Sequence, residues 1–240
     1  MEIDQFYIPE NKISDSDETH SSPFGQYILK TEVYRTTEGV GSVSRGLIYK
    51  KEDQNVHIFE VRRNYNQFPF CFVEGHPNGH DYLICGEDYQ GQTVLELDTG
   101  NRVSHMPEGE KNGVGFCWSR IWASTEKDVL GVEGCFWAAP NELRFIDFSE
   151  PMKLPFLVLS SFPYIEDNSE LSKPWSAITG VEIIDSNEDG TEKKKIQWRK
   201  PSYADVAQYW QKEVKDVRPD SYFYPDIKAQ EQLALARAAK

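Results

Sequence analysis

The sequence has no apolar run approaching the ~18 residues that a membrane-spanning helix needs. Its first residues, Met1-Glu2-Ile3-Asp4-Gln5, carry neither the basic nor the apolar segment of a secretory signal. A bilayer is therefore not expected as a partner, and a cytoplasmic location is. None of the four cysteines forms a Cys-x-x-Cys pair, and they lie in or beside apolar, aromatic-flanked stretches such as Phe70-Cys71-Phe72 and Phe116-Cys117-Trp118. That setting points to buried free thiols for Cys71, Cys85, Cys117 and Cys135, not to disulfides or a thiolate metal site. Positive charge is also scarce. Against 39 Asp and Glu stand 26 Lys and Arg, a net charge of −13, and the longest basic run is Lys193-Lys194-Lys195. Such a chain repels a phosphate backbone, so nucleic acid is not an expected partner; a basic protein surface would be attracted at low salt.

Catalytic signatures are missing too. There is no Gly-x-Ser-x-Gly elbow and no phosphate-binding Gly-x-x-x-x-Gly-Lys-Ser/Thr, and Gly39-Val40-Gly41 lacks the later glycine and the strand-to-helix setting of a dinucleotide fingerprint. His76-Pro77-Asn78-Gly79-His80 carries two imidazoles four residues apart, but Pro77 and Gly79 argue against the helix that would aim both at one metal, and the segment reads as a tight turn.

What is present favours sheet. Aromatic residues make up 13% of the chain, and they suit half-buried pleated surfaces. From Phe24 to about Trp198 the chain alternates short apolar runs with Gly, Pro, Asn and Asp, the pattern of consecutive antiparallel strands. Strands are expected at 26–34, 42–50, 57–62, 68–73, 81–86, 93–98, 115–122, 129–133, 143–148, 156–161, 179–186 and 194–199. Residues 1–23, with the polar run Ser14-Asp15-Ser16-Asp17-Glu18, read as a mobile leader. Residues 24–200 then form a β domain and 201–240 a helical tail. In that tail Ser202 caps a helix over 203–214 with an apolar stripe of Val206, Tyr209, Trp210 and Val214, and the Ala-rich 226–239 forms a second helix. The fold class is mainly β, with antiparallel strands in propeller-like blades or in a large twisted sheet or sandwich, followed by two C-terminal helices.

One stretch echoes another. Asp81-Tyr82-Leu83-Ile84-Cys85-Gly86-Glu87, followed by Thr93-Val94-Leu95-Glu96-Leu97-Asp98-Thr99, is matched by Asp128-Val129-Leu130-Gly131-Val132-Glu133-Gly134, followed by Glu142-Leu143-Arg144-Phe145-Ile146-Asp147. The offset of about 47–49 residues is that of a four-stranded blade. Over roughly 65–160 these segments resemble the β-propeller (WD40-like) superfamily, and the Phe-Cys-Trp and Glu-Gly-Cys-Phe-Trp-Ala-Ala-Pro stretches are similar to a group of bacterial proteins of unassigned function. No Gly-His and Trp-Asp signature pair accompanies them, and the length leaves room for only about four blades, so a partial propeller, a sandwich or a twisted sheet stays open beside a closed one.

Candidate functional residues follow from the echo. Glu87, Asp88 and Tyr89 fall in the loop between two strands, and Glu133-Gly134-Cys135-Phe136-Trp137 in the equivalent loop. If these loops share a rim, Glu87, Asp88 and Glu133 would serve as an acid–base pair or hold a divalent cation. Otherwise they are the exposed acidic turns of an acidic chain. Trp118, Trp122, Phe136 and Trp137 are either interface anchors and stacking platforms or core. Asp185, Asn187 and Asp189 match the first half of a calcium loop, but Ile196 stands where its bidentate Glu belongs, which leaves an Asp-Gly hairpin turn as the simpler reading. The overall expectation is a non-enzymatic recognition or scaffold protein that binds another protein, a basic one being what its charge favours, through acidic, aromatic-bearing loops. The alternative is a small-ligand or metal-binding protein, or a hydrolase, that uses loop carboxylates at a sheet rim.

Overall fold

The computed structural model describes residues 3–36, 41–107, 115–136, 141–163, 165–187, 190–221 and 223–240. The chain is mainly β, with four antiparallel sheets and two C-terminal helices, and it divides into two compact units at His105/Met106. That boundary falls inside the single β domain expected for 24–200.

The first unit holds two four-stranded meanders. One is β1 (Glu18–Ser21), β2 (Tyr27–Arg35), β3 (Ser42–Lys50) and β4 (Phe59–Arg63); the other is β5 (Cys71–Val73), β6 (Tyr82–Cys85), β7 (Gln92–Glu96) and β8 (Asn101–His105). In each, neighbours in sequence are neighbours in the sheet, the cheapest order for antiparallel strands because every connection is a short turn. Period-two alternation gives the two sheets facing apolar sides. Tyr27, Leu29, Ile48 and Val61 from the first pack with Phe72, Leu83, Cys85, Leu95 and Leu97 from the second in one core. Burial there pushes the Cys85 thiol up to about 12, which keeps it protonated and inert. All four cysteines are free; Cys85 is buried and the others are half-buried.

The expected leader is structured, which corrects the reading that order begins near Phe24. Lys12 bridges to Tyr34, the Ile13 N–H donates to the Val33 carbonyl at 2.9 Å, and β1 pairs residue by residue with β2. Phe6 is buried with Tyr34 and Val43. A carboxylate ties this segment down. Glu32 accepts from Lys12 Nζ at 2.7 Å, from the Tyr34 hydroxyl at 2.7 Å and from Arg45. Burial alone would raise the Glu32 pKa, but the hydrogen bonds from Lys12, Tyr34 and Arg45 outweigh it and hold it down at about 2.

The second unit holds β9 (Phe116–Ala123), β10 (Val129–Phe136), β11 (Glu142–Asp147) and β12 (Val158–Phe162) in a third meander, then a three-stranded sheet of β13 (Ile165–Asp167), β14 (Val181–Ser186) and β15 (Lys193–Trp198). Helices α1 (Tyr203–Asp216) and α2 (Tyr224–Ala238) follow. Phe145 of β11 stacks on Trp198 of β15 with ring centroids 3.6 Å apart and planes 7° apart, and Trp175 meets both edge-on. Ring quadrupoles favour offset or edge-on pairs by about 1 kcal/mol, whereas hiding two such rings from water contributes on the order of several kcal/mol. Burial decides this geometry.

Ser202 caps α1, accepting from the Asp205 N–H at 3.2 Å. Of the expected stripe, Val206 and Trp210 are buried with Ala207, while Val214 is only half-buried and Tyr209 lies at the exposed margin. Trp210 Nε1 donates to the Val158 carbonyl at 2.8 Å, and the Gln230 amide of α2 both accepts from the Val158 N–H at 2.7 Å and donates to the Phe156 carbonyl at 2.9 Å. The helices thus satisfy the start of the open edge of β12 at Val158, where an edge strand would otherwise be a template for pairing with another chain. Buried Asp147 fastens the same region, accepting from the Tyr203 hydroxyl at 3.0 Å and facing Arg237 Nε at 3.4 Å.

Two stability outcomes follow. Glu32→Gln should lower the melting temperature at neutral pH. Because the folded-state pKa of Glu32 is depressed, its contribution is present above its ordinary value of 4.5 and lost as pH falls towards about 2, so melts at stepped pH should show the gap between the two proteins closing across that window. Gly134 sits at a register shift in β10, where a Cβ would collide with the Cys117 carbonyl oxygen and the Phe116 ring. Denaturant unfolding of Gly134→Ala should show a loss of about 1–3 kcal/mol.

Candidate functional site

Among the described residues, a cleft of about 520 Å³ opens on the first unit, lined by Asp4, Glu60, Arg62, Asn64, Glu87, Asp88 and Arg102. That volume is in the range of small-ligand sites, although those are mostly apolar and this one is lined by charged and amide side chains throughout. Its residues come from the places the core leaves free. Glu60 and Arg62 lie on β4 and Arg102 on β8, each the last strand of its meander; Glu87 and Asp88 lie in the β6–β7 loop.

Arg63, next to Arg62, is the residue that builds the loop. It points inward on the same face as Val61 and is 2% exposed. Its Nη1 donates to the carbonyls of Gly86 (2.9 Å) and Asp88 (2.6 Å), and its Nε to that of Gln67 (2.8 Å). Asn64 completes the brace. Its N–H donates to the Glu87 carbonyl at 3.1 Å, its side-chain oxygen accepts from the Tyr89 N–H at 3.0 Å, and its amide nitrogen donates to Asp88. Asp88 also accepts from the Gln90 N–H at 2.8 Å. Asp88 is therefore buried and occupied in holding the turn.

Glu87 faces the cleft, where it pairs with Arg102 and accepts from the Ser104 hydroxyl at 3.0 Å. Arg102 also donates to the Glu60 carbonyl at 3.3 Å, joining the two edge strands. Arg62 lies between Glu60 (2.7 Å) and Asp4 (3.0 Å), which raise its pKa further, and above the Tyr7 ring at 5.3 Å. Each guanidinium is matched to a carboxylate, and four carboxylates against two guanidiniums leave the cleft acidic.

Of the residues singled out in the sequence, Glu87 and Asp88 meet in this cleft. Tyr89 lies beside it, its ring 5.9 Å from that of Tyr65. Glu133 and Trp118 belong to the second unit and are corrected in kind. Glu133 lies within β10, opposite Leu143 and Arg120, because the ladder that ends at Cys85/Thr93 in the first hairpin runs on through Gly134 in the second. Its carboxylate is buried and accepts from Asn141 at 3.1 Å and Asn168 at 2.6 Å. Trp118 is 6% exposed and serves the core, so it is no exposed anchor. Trp137 and Asp189 lie outside the described residues. Asp185 stands in β14 opposite Lys194, and Asn187 braces the following turn, its side chain accepting from the Glu192 N–H at 2.9 Å and donating to Thr191 at 3.0 Å. Sequence reasoning missed Arg63 and Asn64. Extending the alternation of β4 one residue past Arg62 would have put an arginine on the inward face, a signal that it was bonded there.

No family model matches the chain. An uncharacterized protein of Acanthamoeba polyphaga mimivirus is 32% identical over 148 residues, which cover 62% of this chain and 57% of that protein, so the chain spans little more than half the length of this relative. Among solved structures, the periplasmic gluconolactonase of Pseudomonas aeruginosa is 13% identical (TM-score 0.40; 77% of this chain and 54% of that one). A putative 6-phosphogluconolactonase from Bacteroides uniformis is 14% identical (TM-score 0.37; 76% and 55%), and the β-propeller domain of Cps50 (Swd1) from Myceliophteria thermophila 9% identical (TM-score 0.36; 75% and 69%). At such TM-scores these likenesses carry no argument about the site, which rests on its own residues.

Arg63→Lys should loosen the cleft. One ammonium cannot serve three carbonyls as a planar guanidinium does, so hydrogen exchange at Glu87, Asp88 and Gln90 should speed up and stability fall by about 1–3 kcal/mol.

Proposed function

We propose that the chain is a recognition module of propeller-like build that works in the cytoplasm and binds another protein by taking a basic side chain of that partner into the acidic cleft of the first unit. The observation that carries this reading is the excess of four carboxylates over two guanidiniums in a cleft whose loop is already braced by Arg63 and Asn64. A lysine or arginine entering beside Glu87 and Glu60 would meet ordered acceptors and pay little for arranging them. The net charge of −13 steers a basic surface towards the whole chain. Supporting the build, each four-stranded meander has the strand order of a propeller blade. No helix among the described residues is long and apolar enough to cross a membrane.

Chemistry in the same cleft is a weaker reading. Neither carboxylate of the Glu87–Asp88 pair is unengaged: Glu87 is bound to Arg102 and Ser104, and Asp88 to Asn64 and the Gln90 N–H. The lining contains no serine, cysteine, histidine or lysine to act as nucleophile.

Calorimetry with a lysine- and arginine-rich peptide tests the reading. Binding should weaken roughly tenfold between low salt and an ionic strength of about 0.3 M, and Glu60→Gln with Glu87→Gln should weaken it several-fold at low salt. Binding indifferent to both salt and the double substitution would sink the proposal.

A further inference from the structure

At the other end of the β6–β7 hairpin from the cleft, three side chains converge. His80 Nδ1 lies 2.7 Å from an oxygen of Asp98 and 3.5 Å from one of Glu96, and one ligand atom from each residue falls within 4.8 Å of the others. Glu96 is 7% exposed, so its charge sits largely out of water. Among the described residues, no lysine or arginine pairs with Glu96 or Asp98; His80 alone stands against both. Outer hydrogen bonds fix the two carboxylates. The Thr99 hydroxyl donates to Glu96 at 2.7 Å and the Asp81 N–H to Asp98 at 3.3 Å. Bracing of this kind is what orients metal ligands.

The chain's own echo supplies an independent comparison. Strand pairing sets Tyr82 opposite Glu96 and Val129 opposite Asp147, so Glu96, and not Asp98 as the sequence alignment of the echo had it, is the counterpart of Asp147. The same backbone bond closes both hairpins: the Leu97 N–H donates to Asp81 and the Phe148 N–H to Asp128, each at 2.8 Å. In the second hairpin this end holds a cation provided by the chain. Lys200 Nζ lies 2.8 Å from Asp128 and 3.9 Å from Asp147, with Arg237 at 3.4 Å from Asp147. In the first hairpin Asp81, the counterpart of Asp128, accepts from the Gly75 N–H at 2.7 Å and the Tyr27 hydroxyl at 3.2 Å, while Glu96, the counterpart of Asp147, shares with Asp98 an imidazole, a ligand that holds a metal when neutral.

We propose that His80, Glu96 and Asp98 form a binding site for a divalent transition-metal ion of the zinc class, with a fourth position open to water. One imidazole nitrogen and two carboxylate oxygens are a donor set that suits zinc. Ligands about 2.1 Å from a tetrahedral ion stand roughly 3.4 Å apart. The His80–Glu96 separation of 3.5 Å meets that spacing, and the His80–Asp98 hydrogen bond has only to open by a fraction of an ångström. The bound ion would join the turn before β6 to the turn after β7, the part Lys200 plays in the second unit.

Zinc(II) titrated calorimetrically into chelator-stripped, desalted full-length protein should bind at one ion per chain and raise the melting temperature. His80→Ala and Glu96→Gln should each weaken it tenfold or more. Cobalt(II) should give visible d–d absorption without the near-ultraviolet charge-transfer band of a thiolate. His80 also pairs with Asp98 and Glu96, so each variant is melted with and without zinc, and the zinc-induced rise read from its own metal-free baseline separates lost ligation from lost folding. No zinc binding, binding unchanged by His80→Ala, or a cobalt thiolate band that disappears with Cys117→Ser and Cys135→Ser would each overturn the assignment.

Discussion

Both units rest on one constraint: a meander has an apolar face that water disfavours, so every sheet needs a cover. In the first unit the sheets of β1–β4 and β5–β8 cover each other through Leu29, Ile48, Leu83 and Leu95. In the second, β9–β12 is covered by the smaller β13–β15 sheet and by both helices, with the Phe145–Trp198 stack within the core and Val206, Trp210 and Ala234 extending it. Middle strands such as β6 and β10 are buried along most of their length, so nearly every side chain they carry is committed to packing. Polar chemistry is left to strand ends, loops and edges.

The same division explains what could be read from the sequence. Strands that bury a face announce it: β2, β3 and β14 fall within a residue or two of the expected ranges, because each is a run rich in β-branched and aromatic residues that buries the face carrying Leu29, Ile48 or Ile183. β1, Glu-Thr-His-Ser, and β8, Asn-Arg-Val-Ser-His, left no such trace. They are edge strands held by the backbone ladder to a partner, and a ladder imposes no residue type. The leader went unread for this reason. What tethers it is the Lys12–Glu32 pair, a contact between residues whose charges look ordinary in sequence.

The candidate site was legible only in part. An acidic loop between two strands pointed to Glu87 and Asp88, and both line the cleft. Glu133 was misplaced because Glu-Gly reads as a turn, yet Gly134 is instead the residue that lets the Cys117 carbonyl approach at a register shift within a continuing strand. Composition does not distinguish a glycine that turns the chain from one that admits a neighbour. Arg63 shows the converse limit: its role depends on carbonyls 4, 23 and 25 residues further along the chain, and only the fold brings them together.

Edges are also where the two hairpins of the echo could diverge without disturbing the cores. Leu83 with Leu95, and Leu130 with Ile146, are cross-strand partners at matching positions, and all four are fully or almost fully buried. At the ends the chemistry parts. The second hairpin meets Lys200 and Arg237 from the C-terminal segment, so Asp128 and Asp147 serve to dock that segment. Among the described residues, no lysine or arginine pairs with Glu96 or Asp98 of the first, and these carboxylates meet a histidine contributed by the turn before β6. The first hairpin's other end supplies Glu87 to a cleft whose remaining charges come from the edge strands β4 and β8. A fold whose middle strands are largely committed to burial can therefore vary both ends of a hairpin independently: in the second hairpin the end carboxylates dock the C-terminal segment of their own unit, and in the first Glu96 and Asp98 face an imidazole.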